Sequence, residues 1–256
     1  MLMILSPSKR LDFESAPPQS FGRATSPPFL EQSAALIEVL REYEPRELST
    51  LMKLSSPLAA LNHERYQRWH AEGERAALAA FQGDVYRGLD AASLSPEASE
   101  RAHDQLRVLS GLYGLLAPSD LIRPHRLEMG TRLKLSSGTG LYQVWREPVS
   151  AALRSLCAAG GHRALLNLAS KEYSRAVELD DFPAPVVTPS FVREKDGQRK
   201  IVAIHAKRAR GLMARFVLEE GLREPSELSA FCAEGYAYDP ESPILSPVFV
   251  RQADHS

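Results

Sequence analysis

Little in this chain of 256 residues suits life outside the cytosol. It has only two cysteines, Cys157 and Cys232, with no CxxC pair and no histidine at ligand spacing. That excludes a disulfide framework and a thiolate metal centre, and both side chains read as buried free thiols in a reducing compartment. No apolar run approaches the ~18 residues of a membrane span. The apolar opening, Met1 to Leu5, is too short for a signal peptide, so the expected location is cytoplasmic.

An excess of charge of one sign is also missing. The 31 Lys and Arg face 32 Asp and Glu, for a net charge of −1. A globally basic binder is thereby excluded, and any affinity for nucleic acid has to come from a local cluster of cations. There is no GxGxxG, Walker loop, GxSxG or HExxH. The seven histidines do not sit at metal spacing; His63 and His70, seven apart, read as surface residues of one helix. No metal, structural or catalytic, and no cofactor is expected. Internal repeats, heptads and low-complexity tracts are absent too.

What is present is a globular composition, 44% hydrophobic and 25% charged, enough to bury a large core. Residues 14 to 28 are rich in Pro, Ser, Gly and Thr and read as an irregular connection. Helical stripes follow at Leu30 to Tyr43, Glu47 to Leu54, from Ser56-Pro57 to about His70, and Ala76 to Phe81. Gly83 to Gly88 reads as a brief strand between glycines. Ser95-Pro96 starts a helix to Gln105, Gly140 to Ala158 is amphipathic, and Ser226 to Cys232 makes a short helix. Val186 to Glu194 and Lys200 to Ala206 read as β runs around the turn at Lys195 to Gln198, the second leading into a helix from Lys207 to Glu220. Gly235 to Asp239 and Val248 to Arg251 are candidate final strands. The order predicts one mixed α/β domain over 1–256, a central mixed sheet with surrounding helices, and a helical insertion at 29–81 as the only candidate subdomain.

Three apolar strands end alike. Ile4-Leu5-Ser6 runs into Pro7-Ser8-Lys9-Arg10, Val108-Leu109-Ser110 into a loop punctuated by Gly111 and Gly114, and Leu168-Ala169-Ser170 into Lys171-Glu172-Tyr173. Each serine alone reads equally well as a cap or turn former. If the strands are parallel neighbours, however, their carboxyl ends share an edge and the loops converge. Ser6, Lys9, Tyr113, Arg126, Glu128, Lys171, Glu172 and Tyr173 would then face one cleft. A second feature is Lys207-Arg208-Ala209-Arg210 with Arg215, basic residues placed at a helix start where they oppose the dipole unless an anion or carboxylates compensate. Lys207 and Arg210 fall on one face and Arg208 and Arg215 on another. A solvated face paired with Glu219 and Glu220 is the alternative reading.

These segments together carry a resemblance. LSPSKRLDF at 5–13, LMKLSSPLAALN at 51–62, FQGDVYRGL at 81–89, LSGLYGLLAPSDLIRPHRLEMGTRL at 109–133, LYQVW at 141–145, NLASKEYSRAV at 167–177 and KRARGLMARFVLE at 207–219 resemble the YaaA family of bacterial peroxide-stress proteins, formerly DUF328 and UPF0246. The chain departs from the family's SPAKT pattern at Ser8 and Arg10, and has His125 where a Tyr is usual. Arg10 and a protonatable His125 would add positive charge near the cleft. The resemblance implies a single compact α/β body with a helix-hairpin-helix-like element, a cytosolic role in the peroxide response that limits iron-linked damage, and DNA binding through a positively charged cleft.

Two functions from different classes follow. In the first, DNA or another phosphate-bearing partner is held by Ser6, Lys9, Arg10, Arg126, Lys171, Lys207, Arg208, Arg210 and Arg215. In the second, an enzyme acts on a nucleobase, nucleotide or damaged DNA, with Lys171, Glu172, Tyr173, Tyr113 and Glu128 as candidate catalytic groups. Direct iron sequestration fits poorly with two isolated cysteines and scattered histidines.

Overall fold

The computed structural model describes residues 1–15, 24–71, 73–135, 138 and 140–252. Most of the proline-rich connection expected at 14–28 lies outside them. The centre is a five-stranded sheet whose middle strand, β1 (Leu2–Leu5), is buried at every position. A strand apolar on both faces belongs in the interior of a parallel sheet covered on each side. β2 (Arg10–Leu11) follows it, then three helices: α1 (Leu30–Arg41), α2 (Pro45–Met52) and α3 (Ser56–Gln67). α2 and α3 form a helical hairpin across residues 53–55. Ser55 rather than Ser56 caps α3, which places Pro57 in the first turn, where its missing N–H costs nothing.

Next come β3 (Arg75–Ala76), α4 (Ala77–Ala80), β4 (Phe81–Gln82) and α5 (Asp84–Leu89). The strand expected at Gly83 to Gly88 is therefore a helix. Val85 and Leu89 lie four apart on one face, and Gly88 serves packing rather than a turn. α6 (Pro96–Gln105) starts at Ser95, whose side chain accepts the Ala98 N–H at 3.2 Å. It feeds β5 (Leu106–Ser110), β6 (Gly114–Leu116) and β7 (Leu121–Ile122). At Gly114 the backbone takes φ +70°, and an added Cβ would lie 2.5 Å from the Trp145 ring. Only glycine meets both conditions.

α7 (Leu141–Ala159) carries Trp145, fully buried, with its indole N–H donating to Gly111 O at 2.9 Å. β8 (Leu165–Asn167), α8 (Lys171–Ser174), β9 (Val186–Val187), β10 (Ser190–Lys195) and β11 (Gln198–Lys200) follow. The expected run from Val186 to Glu194 is thus split at Pro189, which has no N–H to extend a ladder. β9 joins the central sheet and β10 a second one. The run expected at Lys200 to Ala206 is not a strand. α9 (Ala203–Glu220) begins there, its buried face set by Ala206, Ala209, Met213 and Val217 at helical spacing. β12 (Tyr236–Tyr238) and β13 (Val248–Gln252) complete the chain. Cys157 is buried as expected, but Cys232 is exposed.

The central sheet has the order β6-β5-β1-β8-β9. β1 runs parallel to β5, with Met3 opposite Leu106, and to β8, with Leu2 opposite Leu165. β6 is an antiparallel edge. The second sheet is β11-β10-β13-β12, mixed in direction. This is the mixed α/β class the element order predicts. α9 is clamped on α5 through two glycines: a Cβ on Gly211 would lie 1.8 Å from Val85 O, and one on Gly88 would lie 2.2 Å from Arg208 O. Backbones this close bring the basic side of α9 to the loop after β1.

Candidate functional site

Parallel pairing puts the carboxyl ends of β1, β5 and β8 on one edge, and the loops behind them enclose a cavity of about 520 Å³. Its walls include Ser6, Lys9 and Arg10 after β1, Ser110 at the end of β5, Arg126 and Glu128 further along that connection, Ser170 to Tyr173 after β8, and Lys207 and Arg210 of α9.

The serines divide their labour. Ser6 Oγ accepts the Ser170 N–H at 2.8 Å, with the Ser170 hydroxyl 3.3 Å away, so two loops 164 residues apart are clipped together. Ser110 Oγ accepts the N–H groups of Leu112 and Tyr113 at 3.3 and 3.1 Å, the work of a turn former. On the same wall Tyr86 donates its hydroxyl to Ser6 O at 2.9 Å. Tyr66 of α3 donates to Arg126 O, tying the helical hairpin to the cavity.

Glu128 organises the cations nearest it. One of its oxygens lies 2.8 Å from Lys9 Nζ, and the other accepts from Arg126 Nε and Nη2 at 3.1 and 2.9 Å. Burial works to raise its pKa, yet the bonds from Lys9 and Arg126 outweigh it and hold the carboxyl below the usual range. Glu172 Oε1 accepts the Gly130 N–H at 3.0 Å. Tyr173 is buried, which pushes its phenol far up and keeps it a proton donor at neutral pH.

The remaining cations are unpaired. Among the described residues no carboxylate lies within ion-pair distance of Arg10, Lys171, Lys207 or Arg210. Arg210 is half-buried, and desolvation alone lowers its pKa. A guanidinium withdrawn from water without a counter-ion is costly unless an anion completes it.

Other residues singled out from the sequence lie elsewhere. Tyr113 is fully buried and its hydroxyl accepts the Arg123 N–H at 2.9 Å, so it faces the core rather than the cavity. Arg208 pairs with Glu234 at 2.5 Å. Arg215 donates to Leu89 O, Asp90 O and Ser93 O at 3.0–3.2 Å and closes the end of α5. Because α9 starts at Ala203, Lys207 and Arg208 are past its first turn, and the dipole conflict expected for them does not arise. His125 is buried with Nδ1 2.8 Å from Arg123 O. Desolvation lowers its pKa to about 4, so it adds no positive charge at neutral pH, contrary to the expectation above. Gln82, Asp84 and Tyr86 line the cavity without having been picked out as site residues; their only signal was a place in the FQGDVYRGL motif.

The described residues hold no group of three or more His, Cys, Asp or Glu that could hold a metal ion, and no helix long and apolar enough to cross a membrane.

Comparison with known proteins assigns the sequence to a family. A family model described as Peroxide stress protein YaaA matches residues 1–242. The chain belongs to the YaaA family. A UPF0246 protein of Hahella chejuensis is 46% identical over 244 residues, 94% of each chain. UPF0246 proteins of Burkholderia mallei strain SAVP1 and Burkholderia pseudomallei strain K96243 are each 48% identical over 245 residues, covering 93% of this chain and 94% of theirs.

Proposed function

We propose that this YaaA-family chain binds DNA through the cavity at the carboxyl ends of β1, β5 and β8, and that in the peroxide response it limits iron-linked damage to the DNA it covers. The observation that carries the reading is the unpaired set Arg10, Lys171, Lys207 and Arg210 on one concave wall, with Arg210 desolvated. A phosphate backbone supplies the missing anions, and guanidinium groups suit it in particular. Lys9 and Arg126 extend the basic wall but already share Glu128. The α2–α3 hairpin, tied to Arg126 by Tyr66, flanks the cavity and supplies the helix-hairpin-helix-like element. Phosphates occupied by Lys and Arg are closed to ferrous ion, which links binding to protection. Filter binding across a salt series tests this: micromolar affinity that falls steeply with salt is expected, and absence of any salt-sensitive affinity in that range refutes it.

A second reading has its own support. A cavity of about 520 Å³ is of a size to enclose a nucleotide, and Glu172, Tyr173 and Lys171 stand on its wall as base, acid and anion clamp. Glu172→Ala or Lys171→Ala decides between the readings. Loss of protection from peroxide with DNA binding intact favours chemistry on a nucleobase, nucleotide or damaged DNA; parallel loss of both favours binding.

A further inference from the structure

The three strands that feed the first cavity begin at a second one. Met1 precedes β1, Asp104 and Gln105 precede β5 and Arg107 stands at its start, and His162 and Arg163 precede β8; with Arg223 beyond α9 they line a cavity of about 530 Å³ at the amino ends of the strands. Nothing in the reading of the first cavity uses it.

Its charges are arranged unevenly. Arg163 is paired with Glu224. Arg107 is half-buried, and its Nη1 donates to His103 O and Leu106 O, both at 2.7 Å. These are neutral backbone acceptors, and Asp104 and Asp120 act on Arg107 only beyond ion-pair distance. Among the described residues the rest of that guanidinium has no partner. Among the described residues the side chain of Arg223 has none either, while its backbone N–H donates to Glu227 at 2.7 Å. Burial lowers the pKa of His162, so it is uncharged at neutral pH and can donate or accept. Its ring occupies the space a Cβ on Gly160 would take, 2.5 Å from Nε2, which fixes it on the wall. Asp104, exposed and unpaired among the described residues, is the one carboxylate of the lining.

A half-buried guanidinium with only carbonyls for company is the pattern of a site built for an anion. We propose that this second cavity binds a small oxyanion, a phosphate monoester or a carboxylate, held by Arg107 and Arg223 with His162 alongside. Asp104 gives the site an acceptor for a hydroxyl or amino group on the same ligand, which favours a small substituted anion over a polymer. The inference stands apart from the nucleic-acid reading, since neither cavity lends the other a residue.

Amide NMR of the full chain, titrated with inorganic phosphate and separately with acetate, tests it. Saturable shifts are expected at residues 104–107, 162, 163 and 223, distinct from any at Lys207 and Arg210. Saturation by phosphate alone assigns a phosphate ester, by acetate alone a carboxylate, and by both the shared oxyanion chemistry. Arg223→Ala, at an exposed side chain that holds nothing in the fold, should weaken binding on the order of tenfold. Arg107→Lys, which keeps a charge, should weaken it while the spectrum stays folded. Absence of saturable shifts with both anions, or affinity unchanged in both variants, overturns the proposal.

Discussion

The two ends of one parallel sheet carry cavities of nearly equal volume, about 520 and 530 Å³, built on different plans. At the carboxyl ends the segments that follow the strands, together with α9, bring six cations, Lys9, Arg10, Arg126, Lys171, Lys207 and Arg210, and three carboxylates, Asp84, Glu128 and Glu172, to one concave wall. At the amino ends the connections are short, and three arginines surround one acid. The difference follows from topology. Parallel strands need crossovers, and loops at their carboxyl edge are free to grow into a site, whereas the opposite edge is set by where each strand must start. The carboxyl end thus offers a row of charges suited to a polymer, the amino end a compact niche.

Both ends keep a histidine neutral by burial, and this gives the largest expected effect. His125 titrates near 4 in the fold against about 6.5 when unfolded, because burial disfavours its charged form. The unfolded chain therefore takes the proton first. Stability is intact above pH 6.5 and lost as pH falls from there to 4, on the order of 3 kcal/mol at full extent. In His125→Phe that slope should vanish from chemical denaturation curves measured across the window. His162 lies in a more open setting and its replacement should flatten the curve less.

Next in size is Arg210→Ala. With a desolvated, unpaired guanidinium removed, DNA affinity should drop about tenfold, roughly 1.4 kcal/mol, and the slope of log affinity against log salt should shrink by about 0.9. Anisotropy titration reads both. Glu128→Gln should act in the opposite direction and more weakly. Removing the carboxylate that neutralises Lys9 and Arg126 frees two cations for phosphate, so affinity should rise about threefold. Because the Glu128 pKa is depressed in the fold, its stabilisation is present at neutral pH and lost as pH falls through the carboxylate range. The variant should therefore differ from wild type in thermal stability at pH 7 and converge with it in acid. Arg208→Ala should change DNA affinity less than twofold, since that side chain is away from the cavity in an exposed pair with Glu234.

The carboxyl end was largely legible in the sequence, and the amino end was not. Short apolar runs each closing on serine and a charged loop mark β1, β5 and β8, and their shared edge follows once they are taken as parallel. Lys207 and Arg210 separate from Arg208 and Arg215 by helical spacing alone. What escaped was set by packing between distant segments. Gly88 and Gly211 look like punctuation in a linear reading, yet they are the contact that seats α9 on α5. Tyr113 sits beside the right loop in sequence but points into the core, where Arg123 uses its oxygen. Asp104, Arg107, His162 and Arg223 span the chain without a motif, and only the sheet brings them together.

The most direct test of the central claim compares the ends in one assay. DNA affinity across a salt series is measured for wild type, a Lys207→Ser, Arg210→Ala double variant and an Arg223→Ala variant, all folded by circular dichroism. The double variant is expected to lower both affinity and salt slope, by nearly two phosphate contacts, while Arg223→Ala leaves both unchanged. Equal losses in the two variants, or none in the double variant, would contradict it.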